Sequence, residues 1–273
     1  MSTVDVYRVT DKLDDLTLDV VITRLEARGK HPRFIAMMNQ YLDAMDIDSA
    51  KTVLDIGCGT GVAARAIAQR RGFAGHVTGI DVSPYLVAAA KRLADVESVG
   101  AVTEFRAGDS HSLQLSAPVF DAAVAHTLVS HVADPLTVLK EIARVVKPGG
   151  TIGIFDGDYA SLTFGSDDPI KGKANDEAII NAIVTNPRVM RHMPELLHDA
   201  GLDLIASFGH VVADIGKADF WAPAIDSFLR LLPKSGTMTD AEIQSWATSM
   251  RKRSEQGIFF GASNYYAYVA RRR

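Results

Sequence analysis

Val53-Leu54-Asp55-Ile56-Gly57-Cys58-Gly59-Thr60-Gly61 is the stretch on which the fold turns. An apolar, β-rich run leads into three alternating glycines, and AARAIAQR at 63–70 follows as a helix. Glycines at 57, 59 and 61 allow a tight backbone turn and the close approach of a ligand. The helix N-terminus behind them presents N–H groups with no partner inside the helix. In a dinucleotide-binding fingerprint the third glycine falls one residue later, where Val62 stands, so the spacing speaks against a nicotinamide cofactor.

Outward from this turn, short apolar runs alternate with helical segments. TVLDI at 52–56, HVTGI at 76–80, AVTEF at 101–105, VFDAAVA at 119–125 and TIGIF at 151–155 predict an α/β fold with a parallel sheet and right-handed crossovers. Ser83-Pro84 reads as an N-cap followed by a first-turn proline, opening a helix through Leu93. Asp134-Pro135 repeats that pattern for a helix through Val146, which Pro148-Gly149-Gly150 ends. Before the sheet, Leu13, Leu16, Val20, Val21 and Leu25 recur at helical spacing, and a second amphipathic helix runs from Pro32 to Met45, so residues 1–50 read as a helical cap on a domain at 51–273. Beyond Phe155 the Gly-, Asp- and Ser-rich segment 156–170 reads as a loop, followed by helices near 174–185 and 188–200. Strands near 202–214 and 257–270 flank a helical insertion carrying Phe220, Trp221, Phe228, Leu231 and Trp246. The insertions near 156–200 and 215–256 are expected to form the lid over a substrate.

With 273 residues, 47% hydrophobic and 23% charged, the chain has material for a full core without covalent staples. A net charge of −4 lacks the basic footprint of a nucleic-acid binder, and Arg271-Arg272-Arg273 reads as a solvated tail. The single cysteine, Cys58, forms no intramolecular disulfide and fits a reducing, cytoplasmic setting. MSTVDVYRVTDKLDD at the N-terminus has no apolar segment of the secretory type, and no apolar run reaches membrane-spanning length, so a soluble protein without a membrane partner is expected.

Asp81 closes the second strand about one βαβ unit after the glycine turn, where a carboxylate accepts hydrogen bonds from ribose hydroxyls. Asp109, in RAGDS after the third strand, stands where it can accept from an adenine amine; each aspartate also has an ordinary reading as a turn or capping residue. Together these motifs resemble the class I S-adenosylmethionine-dependent methyltransferases, particularly the branch with the ubiquinone/menaquinone-biosynthesis and other small-molecule enzymes. VLDIGCGTG looks like the family's first motif, GIDVS its second, GDS its third, and FDAAVAHTLVSHVADP with LKEIARVVKPGGTIGIFD its fourth strand and the helix and strand after it. The resemblance covers about 51–156. It implies a Rossmann-like, mostly parallel seven-stranded sheet with helices on both faces, whose last strand is antiparallel. It also implies S-adenosyl-L-methionine as cofactor and S-adenosyl-L-homocysteine as product, with a small-molecule methyl acceptor. Asp55 would support the loop, Gly57, Cys58 and Gly59 would lie beside the methionine portion, Asp81 and Val82 at the ribose, and Asp109 and Ser110 at the adenine.

Methyl transfer from a sulfonium is an in-line displacement, so alignment and exclusion of water come first. A base is needed only where the acceptor is protonated. His126, at the end of the fourth strand, is the expected base; a core or cofactor-contacting histidine is the alternative. His131 precedes Val-x-Asp-Pro, a pattern common in the resembled family, and reads as structural or substrate-contacting. Asp156 and Asp158 are placed at the acceptor's rim or, equally, in a solvated turn. Tyr7, Tyr159, Phe164, Trp221 and Phe260 supply an apolar lid or ordinary packing, with Tyr7 and Phe260 set against the acceptor. The spacing of His126 and His131 is not that of a metal pair, and no metal is expected. Two rival functions share parts of this pattern: a same-fold enzyme that binds the sulfonium without methylating, and a nicotinamide oxidoreductase.

Overall fold

The computed structural model describes residues 5–115 and 118–273, so the first four residues of the acidic N-terminal stretch lie outside it. Its sheet comprises β1 (Thr52–Ile56), β2 (His76–Asp81), β3 (Thr103–Ala107), β4 (Phe120–His126), β5 (Val146–Phe164), β6 (Leu202–Gly216) and β7 (Phe259–Arg272). The spatial order is β3-β2-β1-β4-β5-β7-β6; β1 to β5 pair in parallel and β7 runs antiparallel to both its neighbours. The mostly parallel, seven-stranded α/β expectation therefore holds among the described residues.

Successive side chains of a strand leave the sheet on opposite faces, and both faces here are buried. Val53, Val124 and Phe155 enter one core with α2 (Pro32–Ala44) and α3 (Val62–Ala68). Leu54, Ala123 and Ile154 enter the other with α5 (Pro135–Val145) and α7 (Met193–Asp199). Helix starts follow the sequence. Ser83 Oγ accepts from the Leu86 N–H to open α4 (Pro84–Val96), and Asp134 accepts from the Thr137 N–H to open α5. The chain steps outward from β1 to β3 and then crosses back to lay β4 beside β1, so a crevice opens at the carboxyl ends of β1 and β4.

Of the remaining helices, α1 (Asp15–Gly29), α6 (Pro169–Ile183) and α8 (Ala222–Ser235) contribute side chains to that crevice, while α9 (Asp240–Glu255) packs against α8. α1 packs against α8 and α4, and α6 packs against β5 and α8. No helix among the described residues is long and apolar enough to cross a membrane.

Several boundaries differ from the sequence reading. Segment 156–164 is strand, not loop, because β7 pairs with β5 as far as Phe164↔Gly261 across a bulge between Asp158 and Thr163. α5 ends at Val145, and Pro148-Gly149-Gly150 lies in the first part of β5. The third strand begins two residues later than AVTEF, and 188–200 holds a short 3-10 turn before α7. Leu16 is 81% exposed rather than part of the inner stripe, and Arg271 and Arg272 belong to β7 instead of a free tail.

One ion cluster sets α1 against the glycine turn. Buried Arg65 of α3 donates to Glu26 Oε1 at 2.6 Å and also bonds Glu97, while Thr60 Oγ1 donates to the same Glu26 oxygen at 2.6 Å. Removing one partner of such a cluster leaves a poorly solvated charge behind. Arg65→Met is expected to cost about 3 kcal/mol, read as a lower urea midpoint at unchanged slope.

Candidate active site

The crevice is a cavity open to solvent, with about 1060 Å³ of atom-free space counted out through its mouth. Its floor is the glycine turn. Gly57 (φ +68°) and Gly59 (φ +52°) adopt left-handed backbone, and a Cβ on Gly57 would run into the Leu128 side chain. The N–H groups of Gly57 and Cys58 both donate to the Ile80 carbonyl, at 2.7 and 3.0 Å, which ties the turn to β2.

Two carboxylates serve this turn. Asp55 accepts from the Ala64 N–H at 3.0 Å, holding the first turn of α3; burial pushes its pKa up to about 7, and its Oδ1 has no partner among the described residues. Asp81 accepts from the Gly59 N–H at 2.8 Å through one oxygen and from the Ser83 N–H at 2.9 Å through the other. Burial raises its pKa against these two bonds, and each oxygen keeps a lone pair for a ligand hydroxyl. A cradle without side chains, an orphaned acceptor and a carboxylate with acceptor capacity to spare suit a nucleoside that brings hydroxyl and amine donors.

His126 is placed at the end of β4 as expected, but its surroundings argue against the base role. Nδ1 lies 2.9 Å from Tyr41 Oη, the ring stacks on Phe155 with centroids 4.8 Å apart, and Phe34 meets it edge-on. Nε2 is buried without a partner among the described residues. Burial, helped by the nearby Arg28 cation, lowers the pKa to about 3, so the imidazole is neutral at physiological pH and a poor proton acceptor.

His131 lines the same cavity in a different setting. Its Nδ1 lies 2.9 Å from Asp5 Oδ2, and Asp5 is itself held by the Tyr7 N–H at 2.9 Å and the Thr185 hydroxyl at 3.1 Å. No described residue bonds Nε2. Burial alone would lower the pKa of His131 and Arg28 adds to that, but Asp5 and, more weakly, Asp156 prevail and raise it. Tyr7 and Tyr159 flank the ring at centroid distances of 5.1 and 6.2 Å.

Of the other residues singled out by sequence, Asp156 and Asp158 are buried, not solvated. Asp156 accepts from the N–H groups of Ser130 and Gly157, and Asp158 forms a bidentate pair with Arg191. Neither lines the cavity, nor do Val82, Asp109, Ser110 and Phe260. Asp109 is exposed and its carboxylate takes the His111 backbone N–H at 2.9 Å; Val82 and Phe260 are also partly exposed. Phe164 packs edge-on between Trp221 and Trp246, while Trp221 reaches the cavity. No cluster of three or more metal-ligating side chains occurs among the described residues.

Arg24, Arg28 and Tyr265 line the cavity without having been singled out. Arg24 and Arg28 are one helical turn apart on α1 and share the stripe that holds buried Leu18 and Val21, so charges interrupting an apolar face were the available signal.

The switch-point cavity, the glycine turn and the strand-end carboxylates define a Rossmann-like domain built for a nucleoside cofactor. Residues 54–154 match the family model of a methyltransferase domain, so this core is similar to that domain family. The chain is 31% identical, over 84% of its length, to an uncharacterized 37.1 kDa protein of a Streptomyces fradiae transposon, of which it covers 65%. It is 28% identical over 78% of its length to a sterol 24-C-methyltransferase of Gibberella zeae, covering 56% of that protein. A third relative, the 2-methyl-6-phytyl-1,4-hydroquinone methyltransferase of Synechocystis, is 33% identical over 45% of this chain and 37% of its own length. The chain thus spans about two thirds or less of these curated relatives. Among solved structures the fold is shared with the cyclase SpnF (TM-score 0.57, 20% identity, 89% of this chain and 84% of that one). It is shared as well with a geranyl diphosphate methyltransferase crystallised with S-adenosylmethionine (TM-score 0.55, 16% identity, 88% and 85%). Methylating and cyclising enzymes both use this fold, so the chemistry must be argued from the site.

Proposed function

We propose that this chain transfers a methyl group from S-adenosylmethionine to a small-molecule acceptor, with the His131–Asp5 pair taking the acceptor's proton. The observation that carries the reading is that one cavity joins the Gly57–Gly59 turn and Asp81 to His131. S-adenosylmethionine supplies an electrophilic methyl on a sulfonium sulfur. The chain's own contribution is to hold the nucleoside and align the acceptor. Asp81 accepts from ribose hydroxyls, Gly57 and Gly59 leave room for the methionine portion, and Asp55 keeps the turn in place while its free Oδ1 offers an acceptor. Val82, Asp109 and Ser110, after β2 and β3, are assigned to the nucleoside's outer edge.

His131 Nε2 accepts the proton of a hydroxyl or amine acceptor, and Asp5 orients the ring and stabilises the imidazolium. His126 serves as a neutral wall beside the transferring group, positioned by Tyr41. Tyr7, Tyr159 and Trp221 exclude water from the acceptor side.

Calorimetric titration with S-adenosylmethionine, S-adenosylhomocysteine and the oxidised and reduced nicotinamide cofactors tests the reading. Micromolar-range binding of the two sulfur nucleosides alone is expected. Binding of a nicotinamide cofactor instead would overturn it, and turnover of a substrate without methyl incorporation would replace transfer with a non-methylating use of the same site.

A further inference from the structure

Arg24 is only 7% exposed, lines the cavity, and its Nη1 is buried with no hydrogen-bond partner among the described residues. Its guanidinium carbon lies 5.7 Å from the Phe220 ring centroid. The charged and titratable groups that act on it most strongly are Arg28 and the phenols of Tyr7, Tyr265 and Tyr159. A buried guanidinium beside a second arginine costs the fold free energy that the Phe220 ring face offsets only in part. Next along the chain from Phe220, Trp221 is 3% exposed, lines the same cavity, and leaves its indole Nε1 buried and likewise without a partner among the described residues.

Two orphaned groups that only donate, one of them cationic, are complementary to a ligand group that only accepts. The guanidinium fork matches the planar oxygens of a carboxylate or the oxygens of a phosphate. Leu162, Ile183 and Phe228 complete this part of the wall with apolar surface. We infer that the methyl acceptor is an acid: a small molecule with an apolar or aromatic body and an anionic oxygen group received by Arg24 Nη1 and Trp221 Nε1.

The inference rests on the methyltransferase reading above, and its rival is that Arg24 receives the carboxylate of the cofactor's own methionine portion. Calorimetry separates them. Benzoate, phenylacetate, cinnamate and phenyl phosphate are titrated against benzamide, phenylacetamide and cinnamamide, with and without saturating S-adenosylhomocysteine. At least one acid should bind about tenfold or more tightly than the neutral amides. Arg24→Met should abolish that preference while leaving S-adenosylhomocysteine affinity within about threefold, and Trp221→Phe, which keeps the packing, should weaken acid binding severalfold. Arg24→Lys, which keeps the charge and loses the fork, covers the case in which Arg24→Met does not fold. Equal binding of acids and amides by the parent protein overturns the inference. So does a variant that loses S-adenosylhomocysteine but not 5′-methylthioadenosine, which lacks the carboxylate. Failure of the parent to bind S-adenosylhomocysteine at all would sink the methyltransferase reading instead, while the cofactor-free comparison of acids with amides still reads the anion site.

Discussion

His131→Asn is expected to lower kcat by roughly 10²–10⁴-fold while leaving S-adenosylhomocysteine affinity within about threefold of the parent. The expectation follows from the contrast between the two cavity histidines. His126 is neutral, with one nitrogen engaged by Tyr41 and the other sealed, whereas His131 is backed by the Asp5 carboxylate at 2.9 Å. The pH dependence supplies a second readout. A base must be neutral to act, so kcat/KM should fall as pH drops through the raised pKa of His131. Asp5→Asn removes the main raising influence and leaves burial and Arg28 opposed only by the weaker Asp156, so the acid limb should move to lower pH. Stability should run the other way. A histidine with a raised folded-state pKa stabilises the fold fully below its unfolded value of about 6.5 and loses that contribution as pH rises through the folded value. Parent-level turnover in His131→Asn, or an acid limb that stays put in Asp5→Asn, would remove His131 from the base role.

Asp81→Ala should weaken S-adenosylhomocysteine binding by about 30–1000-fold, the equivalent of ~2–4 kcal/mol for charge-assisted hydrogen bonds in a buried site. Two losses combine there. The ligand hydroxyls lose their acceptor, and the N–H groups of Gly59 and Ser83 lose the oxygens that hold the turn and the α4 cap region in register. Asp81→Asn keeps the shape and one acceptor oxygen, so its affinity should fall between alanine and parent. Calorimetry alongside thermal unfolding distinguishes the effects, because a ligand role predicts an affinity loss larger than the stability loss. Unchanged affinity in Asp81→Ala would take that residue out of the cofactor site.

The parts of this molecule legible in the sequence are those specified by neighbours in the chain. The β1 run and its glycines, the Ser83-Pro84 and Asp134-Pro135 helix starts, and the amphipathic stripe of α2 each depend on a few adjacent residues, and the structure has them where the pattern puts them. The extension of β5 through Asp156 and Asp158 was not legible, because a polar segment becomes strand only when β7, about a hundred residues away, pairs with it and when Ser130, Gly157 and Arg191 satisfy the two carboxylates. The choice between His126 and His131 was hidden for the same reason. Position at a strand end is a local property, whereas the Tyr41, Phe34 and Phe155 rings around one imidazole and Asp5 beside the other come from distant segments. By itself, then, the sequence determined the glycine turn, the strand-end aspartates and the α/β alternation, since backbone conformation and short-range periodicity decide them. Tertiary structure alone decided which cavity histidine is packed among aromatic rings and which is backed by a carboxylate, and that Arg24 is buried there without an ion-pair partner among the described residues, because burial and partner distance are set by the packing of segments far apart in the chain.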